Sequence, residues 1–276
     1  MNQPTASVTA GVLRVRDARL YYEVRGQGPV VLLVGAPMDA RSFEPLAELL
    51  ATDHTVLTTD PRGINRSEVD DRDQDSTAEL RASDLSALLA HLDAGPAAVL
   101  GSSGGAVSVL ALAQAHPDQV HTVIAHEPPL DELLDDRDEL RERTEDIIAT
   151  HLSGDVLGAA RKFLAVANIE LPDEVVEQIW GGQHSEQDIA DADYQHARMM
   201  RPTTRWIPDV ERLRSVSSRI VVGIGEASGG QLCERTSLAL AASLGIEATR
   251  FPGDHVGFAE DPVAFAGRLR AVLGER

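Results

Sequence analysis

The chain has 276 residues, 43% hydrophobic and 25% charged, a globular composition with enough length for one α/β domain carrying an insertion. Its 25 basic against 44 acidic residues leave a net charge of −19, which argues against an electrostatic grip on nucleic-acid phosphates or an anionic membrane. No basic and apolar leader opens the sequence, and the longest apolar stretch, Val30 to Ala36, is far shorter than the about 20 residues of a membrane span, so a cytoplasmic protein is expected.

In chain order, GVLRVR and ARLYYEVRG between Gly11 and Gly26 alternate around Asp17 and predict an antiparallel hairpin. The pattern then changes to short apolar runs ending at Gly, Asp or His: Val30 to Val34, Thr55 to Thr59, Ala97 to Leu100, Thr122 to Ala125 and Ile220 to Ile224. Continuous apolar runs of this length suit parallel strands buried on both faces. Between and after them, Phe43 to Ala51, Ala78 to Leu92, Val107 to His116, Gln231 to Leu244 and Pro262 to Leu273 carry apolar residues at helical spacing. Strand and helix in alternation predict an α/β, doubly wound, mostly parallel sheet.

One stretch departs from the alternation. Residues 129–210 show helical patterns without a strand and read as a helical lid inserted into a core formed by residues 1–128 and 211–276. The first lid helix is expected over Leu130 to Leu152, with Leu133, Leu134, Leu140, Ile147 and Ile148 on one face. From Asp131 to Asp146 it holds three arginines against nine acids, read as a solvated outer face. The cluster DDRDQD from Asp70 to Asp75 is read the same way.

Gly101-Ser102-Ser103-Gly104-Gly105 is a G-x-S-x-G pattern, preceded by the apolar run AAVL and followed by AVSVLALAQ. Strand, glycine-rich turn and helix in that order would expose Ser103 as a nucleophile at the carboxyl edge of the sheet. Ser102 lacks a glycine two positions before it. A serine hydroxyl needs a base within hydrogen-bond reach. Among nine histidines, His54, His91, His116 and His151 read as surface or capping residues and His121 and His126 flank a strand. His255 instead lies in FPGDHVGF, a loop between the last strand, expected at Glu247 to Phe251, and the last helix, on the serine's edge of the sheet. Cys233 is the single cysteine, which rules out an internal disulfide and a multi-cysteine metal site, and it reads as a small buried hydrophobe. There is no H-E-x-x-H, His184 and His196 lack ligands at metal spacing, and neither a P-loop nor a complete G-x-G-x-x-G follows a strand, so neither a catalytic metal nor a nucleotide cofactor is expected.

From Val12 to Leu273, apart from the lid, the chain resembles the α/β-hydrolase superfamily. The elbow around Ser103 is joined by VLLVGAPMDARSF, similar to the family's third strand and oxyanion loop, by TTDPRGINRS, similar to its D-x-R-G-x-G-x-S turn with Asn65 in place of the second glycine, and by GDHVGFAEDP, similar to its histidine loop. Asp60, Arg62 and Ser67 read as structural residues of that turn. The resemblance implies a backbone oxyanion hole at Gly104 and Ala36, although Val34 stands where the family often has histidine. The commonest acid position, after the seventh strand, is Ser228 here. Two acids remain: Glu226, one residue after Gly225, and Glu127 in AHEPPL, matching members that place the acid after the sixth strand.

The resulting expectation is a cofactor-independent serine hydrolase of an ester, thioester or lactone bond in a small, largely apolar molecule. Ser103, His255 and Glu127 would be catalytic, and Met38, Trp180, Met199 and Trp206 would line the substrate pocket, with Tyr194 and Met200 as further lid candidates. No metal, cofactor, nucleic acid or membrane is expected as a partner. The competing readings are a cofactor-free dioxygenase, lyase or perhydrolase on the same residues, and a non-catalytic ligand receptor on the same fold.

Overall fold

The computed structural model describes residues 7–274; residues 1–6, part of the stretch read above as free of a leader, and residues 275 and 276 lie outside it. The strands are β1 (Val8–Arg14), β2 (Ala18–Arg25), β3 (Val30–Val34), β4 (Thr55–Thr59), β5 (Glu68–Val69), β6 (Ala97–Ser102), β7 (Val120–His126), β8 (Arg219–Gly225) and β9 (Thr249–Phe251). They form one sheet in the order β1-β2-β4-β3-β6-β7-β8-β9, with β5 on the edge of β2. The opening hairpin is antiparallel, from Val8 opposite Arg25 to Arg14 opposite Arg19, and β2 meets β4 antiparallel. From β4 through β9 every pairing is parallel. Burial matches this topology: β6 is buried at all six positions, whereas β1 is mostly exposed.

Strand order reverses between β3 and β6, so the connections after these two strands leave in opposite directions and open a crevice at their carboxyl ends. The helices are α1 (Glu44–Leu50), α2 (Ala78–His91), α3 (Gly104–Ala115), α4 (Arg137–Leu152), α5 (Val156–Ala167), α6 (Asp173–Trp180), α7 (Glu186–Tyr194), α8 (Met200–Thr204), α9 (Val210–Ser215), α10 (Leu232–Leu244), α11 (Gly257–Glu260) and α12 (Pro262–Gly274). None of them is long and apolar enough to cross a membrane. One face of the sheet packs on α2, α3 and α10 through Leu85, Leu88, Val107, Leu110 and Leu240. The other packs on α1 and α12 through Leu46, Leu50, Phe265 and Leu269, with Phe43 stacked on Phe258 at 4.6 Å. Helix α3 is buried from Gly104 to Ala113, which explains why its sequence is apolar all round. Its approach to the sheet requires glycine: a Cβ at Gly105 would lie 2.2 Å from the Val34 carbonyl oxygen.

Between β7 and β8 the described chain contains helices and turns only. The first helix is shorter than its apolar pattern predicts. A 3-10 turn at Asp131–Leu133 comes first and Leu134 is extended, so α4 begins at Arg137, where Asp138 and Glu139 suit the positive end of its dipole. Its buried stripe is Leu140, Thr144, Ile147, Ile148 and His151, without Leu133 or Leu134. That stripe carries His151 inward, 5% exposed, correcting its reading as a surface residue; it stacks on His196 at 3.8 Å and meets Asp193 at 2.9 Å. Strand β5, two residues long, is too short for any alternation to reveal.

The turn after β4 is a buried polar hub. The Asp60 carboxylate accepts from the backbone of Ala40 at 2.9 Å and from Arg66 Nε at 2.7 Å, while Arg62 is forked onto Asp84 at 2.7 Å. Ser67 donates to the Asp60 carbonyl. Asn65 takes φ +50°, a left-handed conformation that asparagine tolerates in place of the motif's glycine.

Candidate active site

The crevice side of the sheet is built by three loops, after β6, β7 and β9. Ser103 follows β6 directly and caps α3 with φ +56° and ψ −128°, a region that non-glycine residues rarely occupy. Its N–H donates to the carbonyl of His126 at 3.0 Å, which ties the elbow to the end of β7. The neighbouring Ser102 is fully buried with its hydroxyl against His126 Nδ1 at 3.1 Å, beneath the sheet edge. Burial lowers the His126 pKa to about 4 and keeps that ring neutral.

Glu127, next after β7, is also strained, at φ +52°, and is fully buried. Its N–H donates to the Gly223 carbonyl at 3.0 Å. One carboxylate oxygen, Oε1, accepts from the Gly225 N–H at 2.8 Å, and the other, Oε2, lies 2.6 Å from His255 Nδ1. Burial alone would raise the pKa of this carboxyl group, yet the bond to His255, the neighbouring imidazoles and Ser228 bring it down to about 2. Glu127 is therefore ionised across the physiological range, and Nδ1 of His255 carries the proton between them. Glu226 is exposed and its N–H is spent on the Phe251 carbonyl at 2.8 Å.

The histidine loop folds tightly onto β8. Ala227 N–H donates to the Gly253 carbonyl at 2.8 Å, and Asp254 turns its carboxylate onto Val256 N–H at 2.9 Å. The His255 side chain is 23% exposed. Burial opposes its protonation, while the Cys233 sulfur and the Glu127 carboxylate favour it, and the balance lies above the ordinary imidazole pKa.

Across the crevice, a Cβ on Gly104 would fall 2.5 Å from the Ala36 carbonyl oxygen and 3.2 Å from Thr203 Cγ2, so the loop after β3 and helix α8 both close on the elbow. Gly104 heads α3, whose first N–H groups have no partner within the helix.

The four apolar residues assigned to a pocket are dispersed. Met199 is buried with Ala36, Ile64 and Tyr194, against the loop after β3. Met38 is half-buried and lines an open groove with Pro37, Ile64 and Gln195. Trp206 packs into the main core, its indole N–H donating to Glu79 at 2.8 Å, and Trp180 is half-buried at the end of α6. Two further residues adjoin the His255–Glu127 pair: Ser228, at the position where the resemblance puts the commonest acid, and Cys233, which sequence reasoning did not place here. Ser228 is fully buried and close enough to favour the ionised form of Glu127, though no hydrogen bond of good geometry joins them. Cys233, half-buried in the first turn of α10, brings its sulfur within 4.8 Å of both a His255 nitrogen and a Glu127 oxygen. Expected as a small buried hydrophobe, it is part of the polar cluster; no local spacing could reveal this, because the three residues come from two loops and a helix far apart in the chain.

Residues 28–163 match the family model described as the alpha/beta hydrolase fold. The uncharacterized hydrolase YraK of Bacillus subtilis (strain 168) is 31% identical over 280 residues, covering 97% of each chain. The chain belongs to the α/β-hydrolase family. This α/β hydrolase is also 27% identical over 253 residues to the zearalenone hydrolase of Bionectria ochroleuca, covering 89% of this chain and 90% of that one. The crystal structure of the enol-lactonase from Burkholderia xenovorans LB400 superimposes on the α/β hydrolase with a TM-score of 0.69 at 18% identity, over 96% of this chain and all of the other, a likeness of fold.

Proposed function

We propose that this α/β hydrolase is a cofactor-independent serine hydrolase that cleaves an ester, thioester or lactone bond through an acyl-enzyme on Ser103. The observation that carries the reading is Glu127, which binds Gly225 N–H with one oxygen and His255 Nδ1 with the other. Fixing the proton on Nδ1 leaves Nε2 of the neutral ring as the free lone pair, the tautomer a general base requires.

In the forward step Nε2 takes the Ser103 hydroxyl proton as Oγ attacks the carbonyl carbon. Glu127 stabilises the imidazolium that forms and stays ionised, as its low pKa demands. Gly104 and Ala36 N–H groups receive the negative charge on the carbonyl oxygen; one such donor is worth about 3 kcal/mol in the transition state. The imidazolium then protonates the leaving group, and the regenerated base activates the water that releases the acid. Helices α4 to α8, within residues 129–210, form the lid in this reading, and Met199, packed against Ala36, is the pocket residue best placed among the four.

Lactones rank beside simple esters because a hydrolase named for zearalenone aligns over nine-tenths of the chain and an enol-lactonase shares the fold. The test is labelling by a fluorophosphonate, with the modified peptide sequenced, alongside turnover of p-nitrophenyl esters, simple lactones and zearalenone by wild type and Ser103→Ala. The expected outcome is label on Ser103 alone and turnover that disappears in the variant. A folded wild type that neither labels nor turns over any of these substrates refutes the proposal and directs attention to oxygen uptake and ligand binding.

A further inference from the structure

Catalysis as proposed uses Ser103, His255 and Glu127, and leaves the sulfur of Cys233 without a task. Yet Cys233 Sγ, a His255 ring nitrogen and a Glu127 carboxylate oxygen all lie within 4.8 Å of one another. Thiolate, imidazole and carboxylate are the three side-chain donors that zinc-class cations take, at about 2.3, 2.0–2.1 and 2.0–2.2 Å. Ligand atoms around one such ion stand about 3.3–3.7 Å apart, so an ion would draw the sulfur inward and part Glu127 Oε2 from His255 Nδ1, now 2.6 Å apart, by about 1 Å. Fully buried Ser228 adjoins Glu127 and favours its ionised form, the state in which a carboxylate ligates a cation. The cluster is also reachable, since the His255 side chain is 23% exposed and Cys233 is half-buried.

We infer that Glu127, Cys233 and His255 form a binding site for a soft divalent cation of the zinc class, and that its occupation switches the hydrolase off. Binding would release the Cys233 thiol proton to solvent and take His255 as neutral imidazole, so that thiolate and carboxylate together balance the charge of the ion. Whichever ring nitrogen binds the ion, Nε2 then carries either the ion or the ring proton and can no longer take the Ser103 proton. This inhibitory half rests on the reading of His255 as base; the binding half does not.

The test separates the two halves. The full chain is titrated with cobalt(II) while the thiolate-to-cobalt charge-transfer band in the near ultraviolet is recorded. Because the chain contains a single cysteine, that band can arise only at Cys233. One equivalent should bind in wild type with a saturating band, and Cys233→Ala should show none. Zinc should then inhibit ester turnover reversibly by chelator, with the half-inhibitory concentration at least about 30-fold higher in Cys233→Ala, each protein referred to its own metal-free rate. Absence of the band in wild type at millimolar cobalt overturns the site, and equal zinc inhibition of the two proteins with the band present overturns the switch. Stoichiometric binding without inhibition upholds the site and overturns the role of His255 as base.

Discussion

Glu127→Gln removes one charge and almost no volume, so its effect is set by the hydrogen bonds that Glu127 makes. The carboxylate accepts at both oxygens, from Gly225 N–H at 2.8 Å and from His255 Nδ1 at 2.6 Å. A carboxamide has one acceptor and one donor end. Turning its oxygen to Gly225 sets its NH2 against Nδ1, which must then accept, and the ring proton moves to Nε2, which in the proposed mechanism must be free to accept from Ser103. The opposite rotamer sets NH2 against the Gly225 N–H, two donors in a buried site, at a cost of about 1–3 kcal/mol. Either way the imidazolium loses its counter-charge. A wrong-tautomer substitution of this type costs about 10^4-fold in kcat, or about 5.5 kcal/mol. Steady-state hydrolysis of a p-nitrophenyl ester, with near-ultraviolet circular dichroism to verify folding, checks the prediction, and Glu226→Gln serves as the exposed control, expected within about threefold of wild type. If folded Glu127→Gln retains activity within tenfold of wild type, or if Glu226→Gln falls further, the tautomer argument is wrong.

Four other outcomes are expected. Because the His255 pKa lies above 6.5, kcat/KM should fall as pH drops through a midpoint higher than 6.5, and Cys233→Ala, which removes a neighbour favouring protonation, should move that midpoint down; an unmoved midpoint would reject the influence of the sulfur. The same raised pKa contributes stability that is present below pH 6.5 and lost as pH rises through the folded value, whereas the Glu127 contribution is present above pH 4.5 and lost as pH falls toward about 2. Asp131 is buried with Oδ1 unpartnered, and burial, with Glu132 and Asp136, raises its pKa to about 7, so folding binds its proton between about pH 4 and 7 and stability falls as pH rises through that window. Asp131→Asn should therefore raise Tm at pH 8, by up to about 4 kcal/mol in stability, and change it little at pH 4; equal gains at both pH values in a thermal-denaturation series would count against the assignment. Finally, Ser228→Asp in a Glu127→Ala background should recover at least about tenfold of the lost esterase activity, since position 228 adjoins the same cluster, and failure of a folded double variant to recover any would show that only the end of β7 can present the acid.

Legibility in the sequence tracks burial. Strands β3, β4, β6, β7 and β8 are readable because burial on both faces makes an unbroken apolar run, while β5 pairs two residues and leaves no pattern. The sequence misplaces the start of α4 because apolar Leu133 and Leu134 continue the helical spacing, although the chain is still turning out of Pro128 and Pro129 there. Ser103 is legible as a glycine-rich turn between a buried strand and a buried helix. Periodicity does not distinguish packing from a pocket for Trp206 and Met199: both are buried, one in the main core and one against Ala36, and only tertiary contacts separate them. Cys233 is opaque for a different reason, since its significance depends on a helix and two loops that meet only when the sheet is assembled.

The choice between Glu127 and Glu226 shows how backbone space places a carboxylate. The histidine loop sits so closely on the end of β8 that a Cβ at Gly225 would lie 2.8 Å from the backbone of Asp254, and one at Gly223 would meet Phe251 at 3.0 Å. Side chains are thereby excluded from the last inward positions of β8, Glu226 emerges into solvent, and Ser228 is buried but short. The carboxylate reaches His255 from β7 instead, at the expense of a positive φ at Glu127, a strain of order 1–3 kcal/mol for a non-glycine residue. Two hydrogen bonds hold that strain in place, Glu127 N–H to the Gly223 carbonyl and Gly225 N–H to Oε1, and both join β7 to β8. Glu127 therefore clamps two strand ends and orients the imidazole with the same carboxylate. Truncation to alanine would lose both functions at once, whereas glutamine can keep the clamp only by reversing the histidine tautomer, which makes it the substitution that separates structure from chemistry.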